Sequence, residues 1–249
     1  MGILIEKNAI VTGANRGIGY SIVQKFAQEG ANIWACARTK TQEFELSMKE
    51  IAEKNRVEIT PVYFELTDEN QIKEAVKYIH KSKKNVDILA NVAGVVNATM
   101  FQMTPMAEIR RVFETNYFGT VCLTQNVLKL MNRQKSGAII NVASIAGIDV
   151  NPTNCTYGSS KAALIQFTKV LASEVGKLGI RVNAIAPGPT ETDMIKSVEK
   201  VVGDDNILER CAMGRYAKPN EIADVVAYLA SEYASFINGQ VIRVDGGSK

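Results

Sequence analysis

Short apolar runs rich in β-branched residues alternate along the chain with longer amphipathic stretches. Seven runs read as strands: Asn8–Thr12, Asn32–Cys36, Glu58–Phe64, Val86–Asn91, Ala138–Ser144, Ile180–Ala186 and Gly239–Asp245. Most are apolar at consecutive positions, the pattern of strands covered on both faces. Between them the apolar spacing turns helical. Gly17–Glu29 puts Ile18, Ile22, Val23 and Phe26 on one face, and Tyr157–Lys177 carries Ala163, Leu164, Phe167, Val170 and Leu171. Pro219–Ser231 opens with proline in its first turn and continues with Ile222, Val225, Val226 and Leu229. A further amphipathic stretch surrounds Glu108–Met131. Strand–helix–strand alternation predicts an α/β fold: a doubly wound, parallel, seven-stranded sheet with right-handed crossovers and helices on both faces. With no repeat, low-complexity segment or linker, residues 1–249 read as a single domain.

Composition narrows the function classes. The chain has 249 residues, 46% hydrophobic and 22% charged, ample for one large core. The formal net charge is +3, from 29 basic and 26 acidic residues. That balance, without a basic block or basic–aromatic stripe, argues against a nucleic-acid partner. The densest basic run, His80 to Lys84, reads as the solvated end of a helix. Cys36, Cys122, Cys155 and Cys211 lie far apart with no C-x-x-C pair, which predicts reduced thiols in a cytoplasmic protein. The only histidine, His80, sits among lysines, so neither a histidine-based zinc site nor a Ser-His-Asp triad is expected, and no metal is assigned. No stretch is apolar for long enough to span a bilayer, and Glu6 stands where a myristoylation motif wants Ser or Thr.

The first strand runs into Thr-Gly-Ala-Asn-Arg-Gly-Ile-Gly, Thr12 to Gly19, just before a helix. Glycine lets a ligand approach the backbone, and the free N–H groups of a helix N-terminus suit a pyrophosphate. The adenosine end of a dinucleotide belongs at the end of the second strand. There the sequence has Ala37 and Arg38 in place of a carboxylate for a ribose 2′-hydroxyl, and Arg16 faces the same place from the Gly loop. Two guanidiniums predict NADP(H) over NAD(H). The plain alternative is a tight turn with two solvated arginines.

Tyr157 and Lys161 stand one helical turn apart, so they can point into one site. A free phenol has a pKa of about 10, and work at neutral pH needs help worth roughly 4 kcal/mol. An ammonium about 4 Å away at an effective dielectric near 20 interacts with about that energy. Ser144 closes a strand at the sheet edge where open α/β sheets bind ligands, and its hydroxyl is placed to hold a carbonyl oxygen beside the phenol. A serine nucleophile lacks a base: no histidine is available and G-x-S-x-G is absent.

These motifs together resemble the short-chain dehydrogenase/reductase superfamily. The Gly loop, N-V-A-G at Asn91 to Gly94, Asn116, Ser144, Y-G-S-S-K at Tyr157 to Lys161, R-V-N-A-I-A-P-G at Arg181 to Gly188 and V-D-G-G at Val244 to Gly247 occur in that family's order across nearly the whole chain. The tail is most similar to that of the 3-oxoacyl-(acyl-carrier-protein) reductases. The resemblance implies a Rossmann-type NADP(H)-binding domain with a substrate lid at about 190–212. It implies that Tyr157 donates a proton in ketone reduction, and that Lys161 binds the nicotinamide ribose and lowers the tyrosine's pKa. Ser144 would orient the carbonyl, and Asn116 would hold a water linking Lys161 to solvent. It places Gly13, Asn15, Arg16, Gly17, Ile18 and Gly19 along the phosphates, with Arg38, Glu65 and Leu66 at the adenosine end. Asn91, Ala93 and Gly94 would form the adenosine-ribose wall, and Pro187, Gly188, Thr190 and Thr192 would lie along the nicotinamide. Val92 replaces the family's usual second asparagine, and Glu65 stands where relatives place Asp.

The substrate read this way is a ketone or 3-oxoacyl thioester, with an acidic acyl carrier protein as a possible partner docking on Arg133, Lys135 and Lys177. A sugar, polyol or other secondary alcohol is the rival substrate class, and a cofactor-binding regulatory protein the rival outside enzymes. A homotetramer is expected from the resemblance. Tyr117 and Phe118 read as core residues; Met100, Met103 and Met106 read either as pocket lining or as loop fillers.

Overall fold

The computed structural model describes residues 2–202 and 208–248. Seven strands, β1 (Asn8–Thr12), β2 (Asn32–Ala37), β3 (Ile59–Tyr63), β4 (Ile88–Asn91), β5 (Gly137–Val142), β6 (Ile180–Pro187) and β7 (Val241–Val244), form one sheet in the order β3-β2-β1-β4-β5-β6-β7. Every neighbouring pair is parallel. The chain passes from β3 back across to β4 beside β1, so the order reverses between β1 and β4. A crevice opens there at the carboxyl ends of the strands.

Each strand feeds both faces. Along β1 and β2, Ala9, Val11, Ile33 and Ala35 pack with α1 (Gly17–Gln28), α2 (Gln42–Asn55) and α8 (Pro219–Ala230). The intervening Ile10, Trp34 and Cys36 pack on the other face with α3 (Glu69–Lys81), α5 (Thr120–Gln134) and α6 (Cys155–Val175). This is why the strands read as apolar runs: alternate positions meet different helix layers, and both layers are dry. Helix α4 (Met106–Phe113), a π-helical stretch (Glu114–Gly119) and α7 (Asp193–Val202) complete the elements used below.

The predicted strands are all present, several of them shorter. Val86 is outside β4 because the Gln134 side chain takes its backbone, accepting from the N–H at 3.3 Å and donating to the C=O at 2.7 Å. Gly239 has φ 71°, which no strand accommodates, so β7 starts later. His80 and Lys81 do end a helix. Phe118 is a correction: it is 52% exposed, because the helical path turns it outward while Tyr117 stacks edge-on against Phe167. Met100, Met103 and Met106 are also exposed and do not border the large cleft described below. Residues 203–207 of the expected lid lie outside the described residues; the rest of it contains α7.

Candidate active site

The crevice is a cleft of about 1090 Å³, bordered by the ends of β1, β2, β5 and β6 and the loop after β4. At its dinucleotide end, β1 turns through Gly13, at φ 65°, where a Cβ would stand 3.1 Å from the Ala93 backbone. A Cβ on Gly19 would fall on the Gly13 carbonyl, so only glycine lets α1 start this close under the loop. Arg16 is the N-cap of α1 and makes no side-chain capping bond, which leaves the helix's first N–H groups facing the cleft beside Gly17, Ile18 and Gly19. Thr12 was not anticipated. Its Oγ1 accepts from the N–H groups of Val92 (2.9 Å) and Ala93 (3.1 Å), fastening the loop after β4 to the Gly loop. A threonine flanking a Gly motif carries no signal of this in the sequence.

Most of the expected cofactor residues do border the cleft: Gly13, Asn15, Arg16, Gly17, Ile18, Gly19, Arg38, Glu65, Leu66, Ala93, Gly94, Pro187, Gly188, Thr190 and Thr192. Asn91 is a correction. Its amide is buried behind the wall, donating to Thr124 Oγ1 (2.9 Å) and to Asn141 Oδ1 (2.8 Å), its partner across β4 and β5. Asn141 donates in turn to Thr168 Oγ1 on α6 at 2.8 Å, so these amides tie the sheet to its helices below the cleft floor. Arg38 and Glu65 approach to 3.9 Å, with the Arg38 side chain 76% exposed. Thr39 and Thr41 border the cleft beside them.

At the other end, α6 carries Tyr157 and Lys161 one turn apart, as the spacing predicts. Glycines bring Ser144 to them. A Cβ on Gly147 would stand 2.8 Å from the Ala162 nitrogen, and one on Gly158 would fall on the Ala146 carbonyl. The turn Ile145–Gly147 therefore lies directly on α6. Ser144 caps that turn, its Oγ accepting from the Ala146 N–H at 3.1 Å. Lys161 is buried, donates from Nζ to the Val142 carbonyl at 2.8 Å, and sits 5.8 Å from the Tyr157 ring centroid.

The electrostatics depart from expectation. Burial pushes the Tyr157 phenol above its ordinary 10, and a hydrogen bond with Ser144 offsets part of this. Burial also pulls the Lys161 ammonium down to about 8. Desolvation by the packed cleft wall dominates both groups, and the ammonium is aimed at a backbone carbonyl, so the net shift of the phenol is upward despite the nearby lysine.

Asn116 sits in the π-helical stretch and is fully buried. Its Oδ1 accepts from the Val95 N–H (2.8 Å), and its Nδ2 donates to the Val95 C=O (2.9 Å) and to Ser160 Oγ (3.0 Å). The side chain thus clamps the loop after β4 against α6, and it does not border the cleft. Irregular helical turns of this kind recur at functional sites.

Three polar residues at the substrate end were also missed. Arg111 borders the cleft and is paired through two nitrogens with Glu108, at 2.7 and 2.6 Å. Arg210 borders it too, hydrogen-bonded to Asn151. Arg243 reaches across from β7, holding both oxygens of Asp149 at 2.7 Å. By contrast Arg133, Lys135 and Lys177, the expected rim for an acidic partner, precede β5 and β6 and so lie at the amino edge of the sheet, away from the cleft. That expectation is corrected by the topology.

A family profile described as enoyl-(acyl carrier protein) reductase matches residues 13–249. The chain belongs to the short-chain dehydrogenase/reductase family. Membership makes it an oxidoreductase of alcohol and carbonyl groups. A 3-oxoacyl-(acyl-carrier-protein) reductase of Aquifex aeolicus is 36% identical over 241 residues, covering 97% of this chain and 96% of that one. A 3alpha-hydroxysteroid dehydrogenase of Mediterraneibacter gnavus is 33% identical over 249 residues, covering 99% and 98%. Among solved structures, an NAD(P)-dependent gluconate 5-dehydrogenase from Beutenbergia cavernae with bound NADP superposes with a TM-score of 0.92 at 30% identity, covering 98% of this chain and 97% of that one. The short-chain reductase fold thus supplies the sheet, and the loops around Ser144 and Arg210 form the substrate end of the cleft.

Proposed function

We propose that the chain reduces a ketone to a secondary alcohol with NADPH, and that its substrate is a 3-oxoacyl thioester. The observation that carries this reading is the meeting of Ser144, Tyr157 and Lys161 in the cleft that also holds the Gly loop. The dinucleotide, when bound, supplies hydride to the carbonyl carbon. Ser144 holds the carbonyl oxygen, and Tyr157 gives its proton to the alkoxide that develops there. A phenol raised by burial is fully protonated at neutral pH, so the site stands loaded for reduction. Once the proton has left, the Lys161 ammonium neutralises the tyrosinate, and a relay past Asn116 restores the proton from solvent.

The cleft fits the phosphorylated cofactor. Its glycine cradle fills if side chains are added, α1 offers uncapped N–H groups, and Arg38, Thr39 and Thr41 gather at the end of β2 where a 2′-phosphate would lie. Arg16, on the Gly loop, reaches Asp193 of α7 at 3.8 Å and would be a second cation for that phosphate. A homotetramer accords with the exposed apolar side chains Met106 and Phe118 around α4 and α5 and the fully exposed Phe236 ahead of β7; sedimentation tests it. No helix among the described residues is long and apolar enough to cross a membrane, and a cytoplasmic location accords with the widely spaced free thiols.

The deciding experiment follows NADPH oxidation with acetoacetyl thioesters, enoyl thioesters, sugar ketones and diketones, and repeats the best substrate with NADH. The expected result is fastest turnover with a 3-oxoacyl thioester and a preference for NADPH that Arg38→Ala lowers by about tenfold. Turnover of only the enoyl or sugar substrates would replace the proposed substrate class.

A further inference from the structure

Among the described residues, four buried side-chain polar atoms lack a hydrogen-bond partner, and three of them gather at the substrate end: Asn97 Oδ1, Thr153 Oγ1 and Asn154 Oδ1. Thr153 and Asn154 border the cleft, and Asn97 lies in the loop that the Thr153 carbonyl holds, accepting from the Thr99 N–H at 3.0 Å. Buried polar groups are paired in the great majority of native sites, so an orphaned cluster in a ligand cleft marks a place for a ligand's polar group.

Two details sharpen this. Asn154 is the N-cap of α6, where asparagine ordinarily accepts from the helix's first N–H groups, yet its side chain makes no capping bond and its oxygen stays unpaired. Thr153 has φ 72° and is the one β-branched residue with positive φ among the described residues. That backbone is strained for threonine and is held by the bond to Thr99. The strain serves no helix C-cap, unlike that at Arg56 and Lys135.

We infer that Thr153 and Asn154 form a substrate-recognition subsite that accepts a hydrogen bond from an N–H or O–H group carried by the ketone substrate near its carbonyl. The inference rests on the reductase reading above and specifies its substrate class. The amide N–H of a pantetheine-like thioester arm and the hydroxyl of a polyol ketone share this chemistry. A bare oxoester does not, and it would leave both oxygens unpaired and buried, which is how sites reject analogues that lack a donor.

The test compares kcat/KM for NADPH-dependent reduction of three ketones: acetoacetyl-N-acetylcysteamine, which has one amide N–H; a dihydroxyketone; and ethyl acetoacetate, which has no donor. In the wild-type protein at least one donor-bearing ketone is preferred over ethyl acetoacetate, and which one identifies the source of the donor. Asn154→Leu and Thr153→Val, which keep shape and remove the polar atoms, narrow that preference by about tenfold each, mostly through KM. Thr153→Ser, which keeps the hydroxyl, restores it. A wild-type protein that turns over all three ketones without preference, or variants that lower all three equally, would overturn the subsite and leave the reductase reading standing. Absence of NADPH oxidation with every ketone would overturn both.

Discussion

The two ends of the cleft are built on different principles. The dinucleotide end is made of backbone: the turn at Gly13, the bare start of α1, and a loop pinned to Thr12, all set on the buried edge of β1 and β4. The substrate end is made of side chains on loops, held by a few polar ties: Asn116 to Val95, Arg243 to Asp149, Arg210 to Asn151, and a strained Thr153. A backbone-built site recognises what all its ligands share, a diphosphate. A site built from loop side chains can change its ligand without touching the sheet. The difference explains how relatives named for fatty-acyl, steroid and gluconate chemistry share one fold with this chain.

Four experiments bear on the contrast. Tyr157→Phe should lower turnover about a thousandfold while NADPH fluorescence titration shows affinity changed by only a few-fold, since the proton and not the binding is lost. A parallel collapse of cofactor affinity would show that the two ends are one unit. Gly19→Val should do the reverse, raising the NADPH Kd about a hundredfold by driving a side chain into the Gly13 carbonyl, with the fold kept as judged by circular dichroism. Equal affinity in that variant would mean that the backbone cradle does not hold the diphosphate.

The third is a pH profile. Tyr157, raised above 10, stays protonated throughout the working range, whereas Lys161 loses its charge as pH rises through about 8. Reduction should therefore fall about tenfold per pH unit above 8, with no further limb below it from the phenol. Stability should move the other way. The folded state holds Lys161 at about 8, below its ordinary 10.5, so the charged form is penalised on folding. Below pH 8 that penalty, of about 3 kcal/mol, is present in full, and it disappears between pH 8 and 10.5. Denaturant titrations should show stability rising across that window, and Lys161→Met should abolish both the rise and the turnover. The smallest effect belongs to Arg243→Lys. Replacing a two-pronged contact with a single ammonium should raise the ketone KM a few-fold, leave the NADPH Kd within twofold, and lower stability by about 1 kcal/mol in thermal melts.

The same contrast decides what could be read from the sequence. The sheet was legible because its strands are dry on both faces, and a run such as Asn8–Thr12 has no other use. Tyr157 and Lys161 were legible because helical spacing alone brings them to one face. Asn91 was misplaced because an asparagine at a strand end reads the same whether it faces the cleft or, as here, a buried partner on β5. Phe118 was misplaced because a π-helical stretch shifts the facing of every side chain after it, and no periodicity reports that shift. The basic residues before β5 and β6 were assigned to the cleft on charge alone, and only the strand direction shows that they stand at the far edge. Arg210 and Arg243 went unremarked because each matters through a partner distant in the chain: Asn151 lies 59 residues from Arg210 and Asp149 94 from Arg243. Arg111 pairs locally with Glu108, and only the fold shows that it borders the cleft.

Arg243 also grips the segment that follows it, meeting Asp245 at 2.7 Å and the Ser248 carbonyl at 3.0 Å. One planar cation therefore staples the turn after Ser144 to the closing residues of the chain, and the two stretches should breathe together, with amide exchange near Asp149 keeping pace with exchange near Gly247. Because a guanidinium keeps its charge in alkali, this clasp persists where Lys161 gives up its proton. Alkali would silence the chemistry long before it loosened the shape.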